Sequence, residues 1–124
     1  MINIFELEPY LHQKSGDLPL GFKQRLALSC AIMHNPPILL LDEPTDGLDP
    51  NQKEHMRNLI KDMSQDKTIL ISTHLLDEAE TLASRIILIN KGKIVADGTL
   101  DDILVRTKKK TIAEAFKFLT NKGA

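Results

Sequence analysis

Apolar residues along this chain of 124 residues alternate between helical spacing and short aliphatic runs. The aliphatic runs predict strands at 38–41, 68–72 and 86–89, and an antiparallel strand at 93–98 follows the hairpin signal Asn90-Lys91-Gly92. The helical spacing predicts helices at 23–34, 51–63, 76–84, 100–106 and 111–121. This alternation indicates an α/β fold with a largely parallel sheet and flanking helices.

The apolar residues of each predicted helix mark the face that we expect to pack. These residues are Leu26, Ala27, Cys30, Ala31 and Met33 in the first helix, Met56, Leu59, Ile60 and Met63 in the second, Leu76, Ala79 and Ala83 in the third, and Ile112, Ala115, Phe116 and Leu119 in the last. Strand 38–41 is apolar on both faces, as is typical of an interior parallel strand. Residues 1–13 are compatible with a short helix, 14–22 with a loop, and 44–50 with a turn.

Composition excludes several classes of protein. Sixteen basic and seventeen acidic side chains leave a net charge of −1, so no global charge attracts nucleic acid or an anionic membrane. Cys30 is the only cysteine and cannot form an internal disulfide, which suits a reducing compartment. The sequence has no apolar stretch of transmembrane length and no N-terminal signal pattern. We therefore expect a cytosolic protein that needs a partner for any membrane attachment.

The candidate chemistry lies where two predicted strands end. Asp42 and Glu43 follow strand 38–41, and His74 follows strand 68–72. Ligands of open parallel sheets bind beyond the carboxyl ends of the strands, so an acid pair and an imidazole are expected at one edge. Because neighbouring strand side chains alternate in direction, one carboxylate can hold a metal while the other faces a water. Gly21, ahead of a helix, suits an anion site.

Four motifs, in order, resemble the nucleotide-binding domain of ATP-binding cassette (ABC) proteins. ILLLDEP is similar to their Walker B strand, Thr45 to Asp49 to their D-loop, and Ser72-Thr73-His74 to their switch-histidine segment. Upstream, LPLGFKQR occupies the place of the family signature LSGGQxQR. The order and spacing fit from about Leu7 to Gly98, so the resemblance implies a P-loop NTPase-like fold.

The resemblance implies that ATP and Mg²⁺ are the cofactors and that two domains enclose two ATP molecules. Asp42 would hold Mg²⁺ through water, and Glu43 would orient and deprotonate the attacking water. His74 would contact the γ-phosphate and link it to that water. The chemistry would consist of positioning and charge stabilisation during in-line phosphoryl transfer.

The signature segment would act on the partner domain's nucleotide. By the family pattern, Leu20, Gly21 and Phe22 would reach the partner's γ-phosphate, and Asp49 would couple the two sites. The family usually has serine at the position of Pro19, and proline offers neither that hydroxyl nor an N–H. We interpret LPLGFKQR as a variant similar to the signature of bacterial ATPases paired with ABC-2-type multidrug exporters.

These residues contain no G-x-x-x-x-G-K-[ST] phosphate loop. By the resemblance, the chain is the C-terminal half of the domain and lacks the N-terminal phosphate-loop strand. Residues 1–35 would end the helical signature subdomain, 36–98 would form the Walker B, D-loop and switch-histidine core, and 99–124 would form C-terminal helices. Because the phosphate-loop strand lies between the histidine-bearing strand and strand 86–89 in the family, we expect a compromised or rearranged sheet, or a sheet completed by another chain.

The resemblance predicts the partial ATP-binding and hydrolysis subunit of a transporter that energises export through a permease. Such a subunit is cytoplasmic and peripheral at the inner face of the cell membrane, and this chain is expected to be inactive alone. One alternative is a non-catalytic truncated module that dimerises with a complete ABC ATPase. Another is a soluble ABC ATPase of translation or repair, which the lack of a nucleic-acid surface disfavours.

Overall fold

A computed structural model describes the backbone of residues 20–122 and the side chains of residues 22–121. The chain divides into two compact units, residues 1–72 and residues 73–124. The short helix predicted at 1–13 and the first part of the loop predicted at 14–22 lie outside the described residues. The domain boundaries predicted at residues 35 and 98 stay predictions.

The first unit contains two helices and a parallel pair of strands. Its elements are α1 (Leu20–Ile32), β1 (Ile38–Asp42), α2 (Pro50–Met63) and β2 (Thr68–Ser72). The register of β1 and β2 sets Ile38 opposite Thr68 and Asp42 opposite Ser72. On α2, Met56 and Ile60 are buried, which confirms the predicted packing face of that helix. The parallel pairing confirms that the two aliphatic runs belong to an α/β fold.

Two expectations about α1 were wrong. The helix begins at Leu20, so Leu20 to Phe22 are helical and do not belong to the preceding loop. The predicted packing face is also wrong, because Ala27, Cys30 and Met33 are exposed. Among residues 22–32 of α1, Arg25, Leu28 and Ser29 are buried. The apolar pattern of this helix is too weak to define a face, so tertiary contacts decide which side is covered.

Only one face of the β1–β2 pair is covered within the described residues. Leu39 is buried, but Leu40 is 70% exposed and its neighbour Leu70 is 60% exposed. The predicted parallel pairing of β1 is therefore confirmed. The predicted burial of both of its faces is not. Ile38 lies on the same open face and is also exposed.

The second unit contains a hairpin and three helices. Its elements are α3 (Leu76–Leu82), β3 (Ile86–Asn90), β4 (Lys93–Gly98), α4 (Leu100–Thr107) and α5 (Ile112–Lys122). Its core consists of Ile86, Leu88, Ala96, Ile103, Ile112 and Ala115. Leu76, Ala79 and Ala83 pack against this core, as do Phe116 and Leu119. The packing faces predicted for the third and last helices are therefore confirmed.

The hairpin forms as the sequence predicted. Lys91 and Gly92 connect the antiparallel strands β3 and β4, and both residues have positive φ, 52° and 77°. Two central residues with positive φ are typical of a type I′ turn, whose twist matches that of the flanking strands. Among the described residues, each unit contains one two-stranded sheet, and the gap expected between strands 68–72 and 86–89 stays a prediction.

Candidate functional site

The carboxyl end of β1 carries Asp42. The four aliphatic residues before it fill β1, and Asp42, as the last residue of the strand, is exposed. The parallel register places Ser72, the last residue of β2, directly opposite. The Ser72 hydroxyl donates a hydrogen bond to Oδ1 of Asp42. The structure thus brings a carboxylate and a hydroxyl together at the edge where the sequence predicted ligand chemistry.

Glu43 leaves the strand abruptly. Its φ is 48°, a left-handed conformation that is uncommon for a residue with a Cβ atom. Its N–H donates to the Ser72 carbonyl over 2.8 Å, and its carbonyl accepts from the Asp46 N–H over 3.2 Å. Thr45, two residues further on, is only 1% exposed. Asp42 and Glu43 therefore differ in exposure because the chain turns between them, and not through simple alternation along a strand.

Asp49 ends the turn and begins the next helix. Its side chain accepts a hydrogen bond from the Gln52 N–H over 2.9 Å, so it is the N-cap of α2. Pro50 occupies the first helical position, where its missing N–H costs nothing. Leu48 is buried beside this cap. The structure thus gives Asp49 a capping role that sequence reasoning missed, although Asp followed by Pro is a helix-start signal.

Helix α1 contacts the turn at 45–49. Nε2 of Gln24 donates to the Asp46 carbonyl over 3.4 Å. The guanidinium of Arg25 lies 4.7 Å from the centre of the Phe22 ring, a cation–π distance, and Arg25 is 6% exposed. Pro19 and the side chain of Leu20 lie outside the described part of the structure. The backbone of Leu20 and Gly21 forms the first turn of α1.

His74 belongs to the second unit, where its side chain is exposed. The residue before it, Thr73, donates through Oγ1 to Oε2 of Glu78 over 3.1 Å and accepts from the Leu75 N–H over 3.0 Å. Glu78 is 1% exposed, the most buried carboxylate among the described residues. Sequence reasoning missed Glu78. The available signal was its position on the apolar side of α3, three residues after Leu75 and four before Leu82.

Asp42 fits a magnesium ion bound largely through water. Within residues 20–122, no three or more His, Cys, Asp or Glu side chains converge as a metal cluster. Mg²⁺, however, commonly keeps several waters and takes one or two carboxylates together with substrate phosphates. An exposed carboxylate that is held by a hydroxyl at a strand end matches that donor set.

No helix within residues 20–122 is long and apolar enough to cross a membrane.

Comparison with known proteins gives consistent matches. A family model described as "AAA domain, putative AbiEii toxin, Type IV TA system" matches residues 12–77. The chain is 44% identical over 104 residues to the "Probable multidrug ABC transporter ATP-binding protein YbhF" of Escherichia coli (strain K12), and this match covers 83% of the chain and 18% of that protein.

Two solved structures share the fold. The "Structure of ATP binding subunit of ABC transporter" matches with a TM-score of 0.83 and 30% identity, over 96% of this chain and 51% of that one. The "Dimeric structure of a post-hydrolysis state of the ATP-binding cassette MJ0796 bound to ADP and Pi" matches with a TM-score of 0.70 and 32% identity, over 80% of this chain and 44% of that one. The chain therefore spans about half the length, or less, of the proteins that it matches.

Proposed function

Because the chain belongs to the ABC ATPases, whose P-loop NTPase fold it shares, we propose that it provides the metal-binding and water-activating residues of an ATPase that drives export through a permease. The observation that carries this proposal is the acid pair Asp42-Glu43 at the end of β1, with Asp42 hydrogen-bonded to Ser72 on the adjacent parallel strand. Carboxyl ends of parallel strands are where this class of sheet binds nucleotides. The similarity to a multidrug transporter protein supports export as the process.

Each acid has its own task in this proposal. Asp42, exposed and held by a hydroxyl, binds Mg²⁺ through water. When bound, Mg²⁺ neutralises charge on the phosphates of ATP. Glu43, half-buried beyond the strand, orients the attacking water and accepts its proton. His74, two residues after β2, contacts the γ-phosphate.

The other proposed residues act between two domains. Leu20, Gly21 and Phe22, in the first turn of α1, approach the γ-phosphate of the nucleotide on a partner domain. There the N–H groups of a helix N-terminus favour an anion. Asp49, which caps α2, couples the two sites. The dimeric state of the related cassette bound to ADP and Pi supports this arrangement. The proposal requires a phosphate-binding loop from outside these 124 residues.

A chimera tests the catalytic role. A segment that contains a G-x-x-x-x-G-K-[ST] phosphate loop, taken from a complete ABC ATPase, is joined in front of residue 1, and release of phosphate from ATP is measured with and without Mg²⁺. We expect Mg²⁺-dependent hydrolysis that Glu43→Gln lowers about a hundredfold or more, because a general base is lost. Nucleotide binding should persist in that variant. Glu54→Gln, a matched change at an exposed position of α2, should leave the rate unchanged.

The same chimera distinguishes the alternatives. Full activity of the Glu43→Gln variant would contradict the role of Glu43 as the base. A chimera that binds nucleotide and a complete cassette, yet does not hydrolyse ATP, would favour the non-catalytic module. Co-expression with the permease whose gene lies nearest to the gene of this chain tests the transport role. A transporter subunit should co-purify with that permease from membranes.

A further inference from the structure

Ser72 contacts both members of the acid pair. Its side chain donates to Oδ1 of Asp42, and its carbonyl accepts the N–H of Glu43 over 2.8 Å. The similarity of Ser72-Thr73-His74 to a switch-histidine segment assigns a role to His74 and none to Ser72. The parallel register nevertheless makes Ser72 the direct neighbour of Asp42.

We propose that Ser72 is a positioning residue for the metal-binding carboxylate of Asp42, which its hydroxyl holds in the orientation that receives a hydrated divalent cation. This inference rests on the metal role proposed for Asp42. Asp42 is exposed at the end of its strand, so packing does not restrict its side chain. A hydroxyl donor that engages Oδ1 removes that rotational freedom and leaves Oδ2 available. No hydrogen bond to Oδ2 is formed within residues 20–122.

The backbone of Ser72 serves the neighbouring residue in a different way. Glu43 adopts a positive φ of 48°, which is unfavourable for a side chain of its type. The hydrogen bond from its N–H to the Ser72 carbonyl extends the strand pairing by one residue and holds this conformation. Substitution of the Ser72 side chain removes the hydroxyl but keeps the carbonyl. The two contributions can therefore be separated experimentally.

The Ser72 hydroxyl, rather than its size, carries the inference. Ser72→Ala removes only the donor, whereas Ser72→Thr keeps it on a residue that strands accommodate well. Thr68→Val is the matched control. Thr68 lies at the other end of β2 on the same exposed face, opposite Ile38 and away from the acid pair. The Thr68→Val variant loses a hydroxyl from the same strand, and we expect no change in metal binding at Asp42.

The test uses the complete chain of 124 residues and Mn²⁺ alone as the probe. Paramagnetic broadening of the backbone amide signals of Asp42, Glu43 and Ser72 is followed by NMR as Mn²⁺ is added, with Asp42→Asn to define the signal due to this carboxylate. We expect Ser72→Ala to raise the apparent dissociation constant about tenfold, as is typical when a residue that orients a metal ligand is lost. Ser72→Thr should restore it, and Thr68→Val should leave it unchanged.

Hydrogen exchange of the Glu43 amide reports on the strand pairing in each variant. An unchanged protection factor in Ser72→Ala, together with weaker Mn²⁺ binding, supports the inference. Unchanged or tighter Mn²⁺ binding in Ser72→Ala would overturn it, and so would failure of Ser72→Thr to restore binding when its Glu43 amide stays protected. If the unmodified chain shows no broadening that depends on Asp42, the metal role of Asp42 itself is contradicted, and the inference is overturned with it.

Discussion

The hydroxyl of Thr73 donates a hydrogen bond of 3.1 Å to the buried carboxylate of Glu78, on the helix that follows. The same hydroxyl oxygen accepts the N–H of Leu75, so the residues on both sides of His74 are held by one side chain. A buried carboxylate with hydrogen-bond partners is costly to disturb, since any partner left behind stays desolvated. Glu78 thus fixes the backbone that presents His74, while the imidazole itself stays exposed.

Replacement of Glu78 should destabilise the second unit. We expect Glu78→Leu to lower the free energy of unfolding by about 1–3 kcal/mol, because the partly buried Thr73 hydroxyl loses its acceptor. Urea denaturation followed by circular dichroism measures this change. Asp77→Asn, at the exposed neighbouring position, should change the stability by less than about 0.5 kcal/mol. Equal effects of the two variants would contradict a special role for the buried carboxylate.

Asp49 should contribute to stability as a helix cap, independently of any role in coupling two sites. Asp49→Ala removes the acceptor for the Gln52 N–H and should cost about 1 kcal/mol. Asp49→Ser keeps an acceptor at the cap and should lower the free energy of unfolding by only a few tenths of that amount. Chemical denaturation of the unmodified protein and of both variants measures these differences. If the serine variant were as unstable as the alanine variant, then the cap would not explain the effect.

The ion pair between Arg85 and Asp97 should make the second unit sensitive to acid. Nε and Nη2 of Arg85 donate to the two carboxylate oxygens over 2.8 and 3.1 Å. This hydrogen bonding, and then the nearby positive charge, lower the pKa of Asp97 below its ordinary value of 3.8. Because the folded-state pKa is the lower one, the pair stabilises the fold above that ordinary value, and this contribution is lost as pH falls through the folded-state pKa.

Titration of the Asp97 side-chain carbon by NMR measures this shift. Arg85→Gln should raise the pKa of Asp97 toward 3.8. The free energy of unfolding of this variant should then decrease less as the pH is lowered. Both side chains are substantially exposed, 69% and 39%, so added salt should weaken the effect. Lys93→Gln, which removes an exposed charge from the same strand without touching this pair, is the control. If the pKa of Asp97 were the same with and without Arg85, the ion pair would not be the cause of the lowered pKa.

Gly92 should be required for its conformation and not for lack of space. A Cβ atom at this position would meet nothing within 4 Å, but its φ of 77° is strained for any residue with a side chain. We expect Gly92→Ala to lower the stability by about 1–2 kcal/mol. Lys91→Asn should instead stabilise the hairpin slightly, because asparagine tolerates positive φ better than lysine does. Thermal unfolding monitored by circular dichroism tests both changes, and a neutral Gly92→Ala variant would contradict the argument.

The sequence by itself determined the element order, the hairpin and the place of the acid pair. Aliphatic runs at β1 and β2 and the turn at Asn90-Lys91-Gly92 predict local structure because strand and turn preferences act over a few residues. The motif order identified the ABC resemblance, which the comparisons confirm. The buried side of α1 was not predictable in the same way. Arg25 and Ser29 are buried there because neighbouring segments cover them, and no local pattern encodes that choice.

Only the tertiary structure decided how the residues at the strand ends meet. Sequence reasoning placed Asp42 just after one predicted strand and Ser72 at the end of another, and strand register, a long-range property, sets them opposite each other. The positive φ of Glu43 likewise occurs where its N–H meets the Ser72 carbonyl of the neighbouring strand, and the buried Glu78 accepts from Thr73, which precedes its helix. Composition and periodicity indicate which residues prefer strands, helices and turns. Strand pairing and desolvation depend on contacts between distant segments. The orientation of the residues in the candidate site is therefore set by the tertiary structure.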